Sequence, residues 1–506
     1  MTILTPFAFS PSQRWDGNSG NWSSFLVRIG QPEQDFRVLP SSATGAVFVP
    51  DFTGCQPSSR NPPDCAALRG VVNSSQSSGF QPNASETWMS VGTYEAHIAT
   101  ELGYNASATY GRDSVGLVGP NSGAPTLTDQ VVGSLIQQQP FFVGFFGLSP
   151  KAFNFSDLSD PRPSSMTSLK NAGLIPSLSY GYTAGAFYKH TLGSLTLGGY
   201  DEKRFIPHIS NHSFPFGPDD ERPTSLTLQR ITASNTPAGT VSLLKRQIYV
   251  NIDFTMPYLW LPADTCELIA SQFNLTHNIA KNVYLVDSSA HTQLLKENPS
   301  FTFEFGENPA PGKSPSMSET VSIVISYAAF DLDFEWPNFP NTTRYFPIRQ
   351  ANESQYTLGR AFMQEAYLTV DYERHNFSLQ QALFPAASEQ KLVAITPIAE
   401  ARNAGGRASK IHLSKASIAG IAIAGAVCVA IIVVASVLYC RSRHTSHDPT
   451  TRSDAYHSAA REPKERTELA GQTASKQLMG TAVSELKPES RRAELSQNTG
   501  VVELPT

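Results

Sequence analysis

The sequence has little charge and few histidines, and each shortage argues against a class of function. Only 16% of its 506 residues are charged, and the formal net charge is −5. That balance provides no electrostatic reason to expect a polyanionic partner, so we expect no nucleic acid to bind. Several histidines stand singly along the chain and indicate neither a catalytic triad nor a zinc site: His97, His190, His208 and His291. We therefore expect no metal and no cofactor.

Helical periodicity is also scarce between residues 16 and 385. Short runs rich in β-branched and aromatic residues recur there instead, separated by Gly, Pro, Asn and Ser. Such runs are typical of antiparallel strands. The eight clearest are SSFLVRIG, FRVLP, AVFVP, GSLTLGGY, RQIYVNIDF, FTFEFG, SIVIS and AYLTVDYERHNFSL. The pattern predicts a large all-β region.

One uncharged segment interrupts this composition near the C-terminus. Residues 416–439 contain no charged residue over 24 positions. At 1.5 Å per residue, a helix of that length crosses a hydrocarbon core of about 30 Å, so we predict one transmembrane helix. Residues 440–506 lack Ile, Phe and Trp and alternate charges of both signs, which predicts a disordered cytoplasmic tail. Cys440, at the boundary, is either palmitoylated or an unmodified thiol.

Glycosylation sequons of the form N-x-[ST] all precede this segment. They begin at Asn21, Asn73, Asn83, Asn105, Asn154, Asn211, Asn274, Asn341, Asn352 and Asn376. This one-sided set predicts that residues 1–415 face the glycosylating compartment, at the cell surface or in the secretory pathway. Cys55 and Cys65 bracket a Pro-rich loop that a disulfide would close, whereas Cys266 has no obvious partner and is interpreted as a buried apolar residue.

The N-terminus, MTILTPFAFSPSQRWDG, lacks the basic and apolar regions of a signal peptide. The predicted extracytoplasmic location conflicts with the lack of a signal peptide, so we expect that the start of the sequence is incomplete. The alternative is that residues 416–439 act as a signal-anchor.

Several motifs, in order, resemble the pepsin-like aspartic peptidase family over nearly all of residues 16–385. They are the turn formed by Gly30, Pro32 and Gln34, the run AVFVP, the stretch VGFFGLSP, the segment GSLTLGGYD, the run IDFTMPYLWLP and the closing segment YTLGRAFMQEAYLTVDYERHNFSL. The resemblance implies a bilobal β fold with a cleft between lobes and a β-hairpin flap. With the uncharged segment and the tail, it divides the chain into 1–15 (N-terminal extension), 16–215 and 216–385 (two lobes), 386–415 (linker), 416–439 (transmembrane helix) and 440–506 (tail).

Each lobe of that family carries one D-[TS]-G loop, and the two carboxylates share a proton during peptide hydrolysis. Counting from Gln34 and from Pro50 places Ser41-Ser42-Ala43 where the first such loop belongs. Asp35 is six residues out of register and, at about 3.3 Å per residue, some 20 Å from the required position. Counting back from Pro262 places Asp253-Phe254-Thr255 at the second loop.

The resemblance therefore implies a single surviving carboxylate, Asp253, with Ser41 at the position of the first aspartate. Thr255 replaces a glycine that lets the loop backbone approach closely. Tyr104 is the candidate flap tyrosine, although a packing role is an equal alternative, and Gly359-Arg360 departs from the usual Gly-Asp.

Because Ser41 occupies the position of the first catalytic aspartate, we expect a homologue that does not cleave peptides, and three hypotheses follow. The first is a non-catalytic, membrane-anchored module whose cleft binds an extended polypeptide or a glycan. The second is an active membrane-bound aspartic endopeptidase with an atypical dyad. The third is a purely structural glycosylated surface protein, which the sequence does not separate from the first.

Overall fold

The structure is a computed structural model and describes residues 4–118, 124–155, 160–207, 213–306, 320–386 and 389–398. The predicted transmembrane helix at 416–439, the tail at 440–506, His208 and the sequon at Asn211 lie outside these ranges. Among the described residues, no helix is long and apolar enough to cross a membrane.

The first half of the described chain is built mainly from strands. Their bounds are β1 (Phe7–Phe9), β2 (Pro11–Asp16), β3 (Trp22–Ile29), β4 (Gln34–Ser41), β5 (Val47–Pro50), β6 (Met89–Glu95), β7 (Ser107–Leu117), β8 (Thr126–Leu135), β9 (Gly144–Gly147), β10 (Ser179–Ala186), β11 (Thr191–Leu197), β12 (Gly199–Asp201) and β13 (Phe214–Pro215).

The second half of the described chain is also built mainly from strands. Its strands are β14 (Ser225–Thr236), β15 (Gly239–Ser242), β16 (Ile248–Ile252), β17 (Leu259–Pro262), β18 (Thr276–Asn278), β19 (Val283–Leu285), β20 (Ser300–Gly306), β21 (Val321–Ser326), β22 (Leu332–Phe334), β23 (Thr343–Phe346), β24 (Ile348–Ala351), β25 (Thr357–Leu358), β26 (Ala366–Asp371), β27 (Asn376–Gln381) and β28 (Leu392–Ala394).

Helices are few and short. The α-helices are α1 (Cys65–Leu68), α2 (Ser165–Asn171), α3 (Ala263–Phe273) and α4 (Ser288–Glu297). Single 3₁₀ turns occur at Phe52–Cys55, Pro82–Ala84, Thr100–Leu102, Phe187–Lys189, Glu202–Arg204, Tyr327–Ala329 and Phe362–Gln364.

Three large sheets organise the strands. One is confined to the first half, in the order β2-β3-β4-β9-β5-β8-β7-β6, and a second to the second half, in the order β21-β20-β14-β16-β25-β17-β24, with β15 beside β14. The third, β1-β11-β10-β26-β27-β13, takes strands from both halves. This arrangement of one sheet per half and one shared sheet is compatible with a bilobal pepsin-like fold.

The predicted strands lie on strands of the structure. SSFLVRIG falls on β3, FRVLP on β4, AVFVP on β5, GSLTLGGY on β11 and β12, RQIYVNIDF on β16, FTFEFG on β20, SIVIS on β21 and the last run on β26 and β27. Their alternating apolar residues enter one continuous core, as at Phe301, Phe303 and Phe305 of β20, which are all buried. The apolar alternation therefore predicted the sheets well.

The all-β expectation needs correction in the second half, because α3 and α4 are helices of 11 and 10 residues. In α3 the buried positions Cys266, Ile269 and Phe273 recur at helical spacing, a signal that was present in the sequence. Asp287 caps α4 by accepting a hydrogen bond from the Ala290 amide. The protein is mostly β, with few helices.

Candidate functional site

The first candidate loop follows strand β4, which ends at the fully buried Ser41. β4 pairs in parallel with β9, and Ser41 lies opposite Gly147. A Cβ atom at Gly147 would lie 2.4 Å from the carbonyl oxygen of Thr44, so only glycine allows the loop to approach this strand. Strand pairing and this close approach together determine where Ser41 lies.

The second candidate loop has the same construction. β16 pairs in parallel with β25, matching Ile252 to Leu358, so the next residues in register are Asp253 and Gly359. A Cβ atom at Gly359 would lie 2.4 Å from the carbonyl oxygen of Met256. Ser41 and Asp253 therefore occupy equivalent places in the two halves, at the ends of equivalent strands beside equivalent glycines.

Side-chain hydrogen bonds join the two loops directly. The Ser42 hydroxyl donates to Oδ1 of Asp253 at 2.6 Å. The hydroxyl oxygens of Ser41 and Thr255 lie 2.8 Å apart. Within the second loop, Oδ1 of Asp253 also accepts from the amide and the hydroxyl of Thr255, at 2.9 and 2.5 Å. Oδ1 thus accepts three hydrogen bonds, and Oδ2 accepts none from the described residues.

Thr255, which replaces the loop glycine, connects the two loops. The Thr255 hydroxyl touches both Asp253 and Ser41, so it fills the space between the two loops with a short hydroxyl chain. Phe254 points away from this chain into the core, with its ring centroid 4.4 Å from that of Tyr182. The second loop is consequently held by packing on one side and by hydrogen bonds on the other.

Arg360 stands where the family resembled by the sequence usually has aspartate. Its side chain holds the second loop in place. Its side chain is 3% exposed, and Nη2 donates to the Thr255 carbonyl at 2.5 Å. The guanidinium also lies over the ring of Trp22, 5.2 Å from its centroid. Burial lowers the pKa of Arg360 to about 10, although the nearby Tyr182 and Asp253 favour its charged form.

The flap-tip segment, residues 96–106, connects β6 to β7 and packs against the second half of the chain. Tyr104 meets Trp260 edge to face, with ring centroids 6.0 Å apart, and also lies 6.2 Å from Phe141. Its hydroxyl is buried without a hydrogen-bond partner among the described residues, and burial raises its pKa above the ordinary value. Tyr104 thus lies between β6 and β7 in a packing environment of aromatic rings, and its role as the flap tyrosine stays a prediction.

The same segment places a second carboxyl group within electrostatic reach of Asp253. Glu101 is an exposed residue, but the partial enclosure of its carboxyl group, and then the charge of Asp253, raise its pKa, whereas its own backbone and Arg222 act in the opposite direction. Arg222 is itself held by hydrogen bonds to the Ser354 and Tyr356 carbonyls, at 2.7 and 2.5 Å. The Glu101 backbone is tied to the second half by Gln355, whose side-chain amide donates to the Glu101 carbonyl at 3.0 Å.

This arrangement limits the chemistry that the loops can perform. Two carboxylates that share one proton supply both a base for water and an acid for the scissile carbonyl. Here Asp253 faces hydroxyl groups instead, and no hydrogen bond links Glu101 to it in the described part of the chain. A serine nucleophile is usually activated by a neighbouring histidine, and no histidine contacts Ser41 or Ser42 among the described residues.

Other predicted residues lie away from the loops. Asp35 is at the opposite end of β4, where burial and Glu33 raise its pKa. Cys55 and Cys65 form the predicted disulfide. Cys266 is a free thiol, fully buried in α3, and burial raises its pKa. In the described ranges, no three His, Cys, Asp or Glu side chains are grouped closely enough to hold a metal ion.

The sequon asparagines lie at the surface wherever they are described. Asn376 is half-buried, and the others are exposed: Asn21, Asn73, Asn83, Asn105, Asn154, Asn274, Asn341 and Asn352. This exposure leaves their side chains accessible for modification, although glycosylation itself stays a prediction.

The sequence placed Ser42 in the first loop without indicating a role for it, and it did not identify Arg360 or Glu101 as parts of this site. Arg360 had a visible signal, since it stands where the family usually has aspartate, but its contacts depend on Trp22, more than 300 residues away. Glu101 had no signal, because its proximity to Asp253 arises only from the path of the flap-tip segment.

Comparison with known proteins agrees with this construction. A sequence profile described as eukaryotic aspartyl protease matches residues 25–382, which include both loops and the flap hairpin. No curated protein matches the chain. Since the profile covers well over half of the sequence, the chain belongs to the eukaryotic aspartyl protease family.

Proposed function

We propose that the protein is a non-catalytic member of this family that keeps the space between its halves as a binding site for an extended polypeptide. The observation that carries the proposal is the set of hydroxyl groups that connects the first loop to Asp253 in the second. Ser41 stands where a second carboxylate is needed, and Thr255 bridges it to Asp253. Asp253 then serves as a hydrogen-bond acceptor that joins the loops rather than as a catalytic acid or base.

The wider setting of this module is proposed from the sequence. A helix at residues 416–439 anchors the chain in a membrane by a single span, and residues 1–415 face the cell surface or the lumen of the secretory pathway. The surface positions of the described sequon asparagines support glycosylation of this part. Mobility of the purified chain before and after N-glycosidase treatment tests this, and an unchanged mobility contradicts it.

Peptide cleavage by the full chain, purified in detergent, tests the absence of catalysis. A fluorogenic peptide library is incubated between pH 3 and 7, with and without pepstatin. We expect no pepstatin-sensitive cleavage, and the Asp253→Asn variant should behave like the wild type. Cleavage that pepstatin abolishes, and that disappears in Asp253→Asn, would falsify the proposal.

An active endopeptidase with an atypical pair is the second candidate, and one observation favours it. Glu101 is a carboxyl group close enough to Asp253 for the charge of Asp253 to raise its pKa. If movement of the flap-tip segment brought the two groups together, they could share a proton. This candidate predicts that Glu101→Gln and Asp253→Asn abolish cleavage equally, whereas the non-catalytic proposal predicts no cleavage to abolish.

A further inference from the structure

A small cavity lies beside the second loop, beneath the flap-tip segment, and its lining is unusually cationic. The cavity has a volume of about 200 Å³. Met256, which follows Thr255, and Tyr104 of the flap-tip segment both line it. The cavity, which we call the cationic pocket, is therefore contiguous with the candidate binding site but separate from the hydroxyl chain at Ser41 and Asp253.

Two positively charged side chains line the cationic pocket, and no acidic residue is among the eleven described residues that do so. Arg349 stacks on Tyr258, with its guanidinium carbon 3.8 Å from the ring centroid. Lys281 lies over the ring of Phe339 at 4.9 Å, and its ammonium donates to the Asn338 carbonyl at 2.9 Å. Neither cation forms an ion pair with another described residue, so their combined charge is not neutralised by an acid.

Unpaired polar atoms add a second observation. Nε of Arg349 and the hydroxyl of Tyr104 are both buried without a hydrogen-bond partner among the described residues. Buried donors without partners are costly, and in native structures they usually mark a place where a water, an ion or a ligand belongs. Burial alone would lower the pKa of Arg349, but Tyr258 and Tyr104 outweigh it, so the guanidinium stays charged.

The size of the pocket restricts the occupant. Its volume of about 200 Å³ exceeds several times the ~30 Å³ that one liquid water occupies and is below the ~300–1,000 Å³ of whole small-molecule sites. It therefore accommodates one side chain rather than a whole small molecule. Aromatic rings beside a guanidinium suit a short apolar stem that ends in an anion, because the stem packs on the rings and the anion meets the cations.

We infer that the cationic pocket is a specificity subsite that receives a carboxylate side chain, Glu or Asp, of the polypeptide bound between the halves. This inference rests on the proposed function and adds the chemistry of the ligand. The carboxylate accepts hydrogen bonds from Arg349 and from the Tyr104 hydroxyl, and Lys281 at the rim draws it in. No covalent step is involved.

Fluorescence anisotropy with labelled octapeptide pools tests the inference on the full chain in detergent. Each pool fixes Glu at one position and randomises the others over Ala, Val, Phe and Ser, and a matched pool carries Gln at that position. We expect that at one position the Glu pool binds about tenfold more tightly than the Gln pool, in line with a charge-assisted contact of ordinary strength. The preference should weaken with salt.

Three variants connect the preference to the pocket. Arg349→Gln should abolish the difference between the Glu and Gln pools, and a thermal melt establishes that this variant is folded. Lys281→Glu changes an exposed side chain that is not expected to be needed for folding, and it should shift the preference toward a Lys pool. Arg230→Gln is the matched control, since this exposed arginine of β14 pairs with Glu304 of β20 away from the pocket lining, and it should retain the wild-type preference.

The possible results separate this inference from the proposed function. If no pool binds, both fail. If pools bind with equal affinity for Glu and Gln, or if Lys281→Glu and Arg349→Gln keep the Glu preference, the subsite is overturned while polypeptide binding stands. If a sulfated oligosaccharide binds through Arg349 and the peptides do not, the anion site is for a glycan and the inference is overturned.

Discussion

The hydroxyl of Ser42 donates a 2.6 Å hydrogen bond to Oδ1 of Asp253, joining two loops whose residues are 211 positions apart in the sequence. With the Ser41–Thr255 contact it forms a continuous polar link between the halves of the protein. In a catalytic dyad this space would hold a proton shared by two acids. Here it holds neutral hydroxyls around one carboxylate, which makes the link a structural feature with measurable consequences.

Removing the acceptor at the centre of this link should destabilise the protein. Asp253→Ala leaves the Ser42 hydroxyl and the Thr255 amide without a partner, and it leaves the Thr255 hydroxyl with Ser41 as its one remaining acceptor among the described residues. Each unsatisfied buried donor costs about 1–3 kcal/mol, and because Ser42 is half-buried we expect a total loss of about 2–4 kcal/mol. Urea unfolding measures it. Asp253→Asn keeps an acceptor oxygen and should lose less; equal stability of Asp253→Ala and wild type would show that the link contributes nothing.

Restoring the missing carboxylate should make stability depend on pH. Ser41 is fully buried, so the carboxylate of Ser41→Asp would lose solvation beside Asp253, and both effects raise the pKa of one member of the pair. A folded-state pKa above the unfolded value means that stability is present at low pH and lost as pH rises. We expect Ser41→Asp to be less stable than wild type at pH 7 and closer to it at pH 4.

Urea midpoints at the two pH values provide the measurement for Ser41→Asp. The control is Ser41→Asn, which has nearly the same size but no charge, and whose deficit should not change between the two pH values. A deficit of Ser41→Asp that stays constant with pH would contradict the expected proximity of the two carboxylates.

Truncating the arginine beneath the second loop should also be costly. Arg360→Ala leaves the Thr255 carbonyl without its donor, removes the contact with Trp22 and opens a cavity. Loss of a large buried side chain predicts a decrease of about 2–4 kcal/mol in the free energy of unfolding. Arg246→Ala is the matched control, since among the described residues this exposed arginine forms an ion pair only with the exposed Glu353, and its loss should change stability by less than about 0.5 kcal/mol. Similar losses in both variants would refute the assigned role.

Neutralising Glu101 should stabilise the protein at neutral pH. Because burial and the charge of Asp253 raise its pKa, the ionised carboxylate opposes folding, and the opposition grows as pH rises above about 4.5. Glu101→Gln should therefore unfold at higher urea concentration than wild type at pH 7, with the difference vanishing toward pH 3. The double variant Glu101→Gln/Asp253→Asn serves as the control, and there the benefit of Glu101→Gln should shrink, since part of its cause has been removed.

Much of the fold could be predicted because it is encoded by local patterns. The apolar alternation in β3, β20 and β21 depends only on which side chains face the core, so it is visible in the sequence. The placement of Ser41 and Asp253 depended on short, countable distances to Pro50 and Pro262. The helices α3 and α4 were missed because the strand pattern around them dominated the interpretation, although α3 carries buried residues at helical spacing.

The amino-acid sequence alone determined which residues stand in the two loops: a serine in the first, and a carboxylate followed by threonine in the second. Only the tertiary structure decided what they do. Thr255 contacts Ser41 and Arg360 lies over Trp22, because segments separated by more than two hundred residues meet in the fold. The path of the flap-tip segment likewise brings Glu101 within the electrostatic influence of Asp253. Hydrogen bonds and charges act over a few ångströms of space, and separation along the chain does not reveal which groups come within that range.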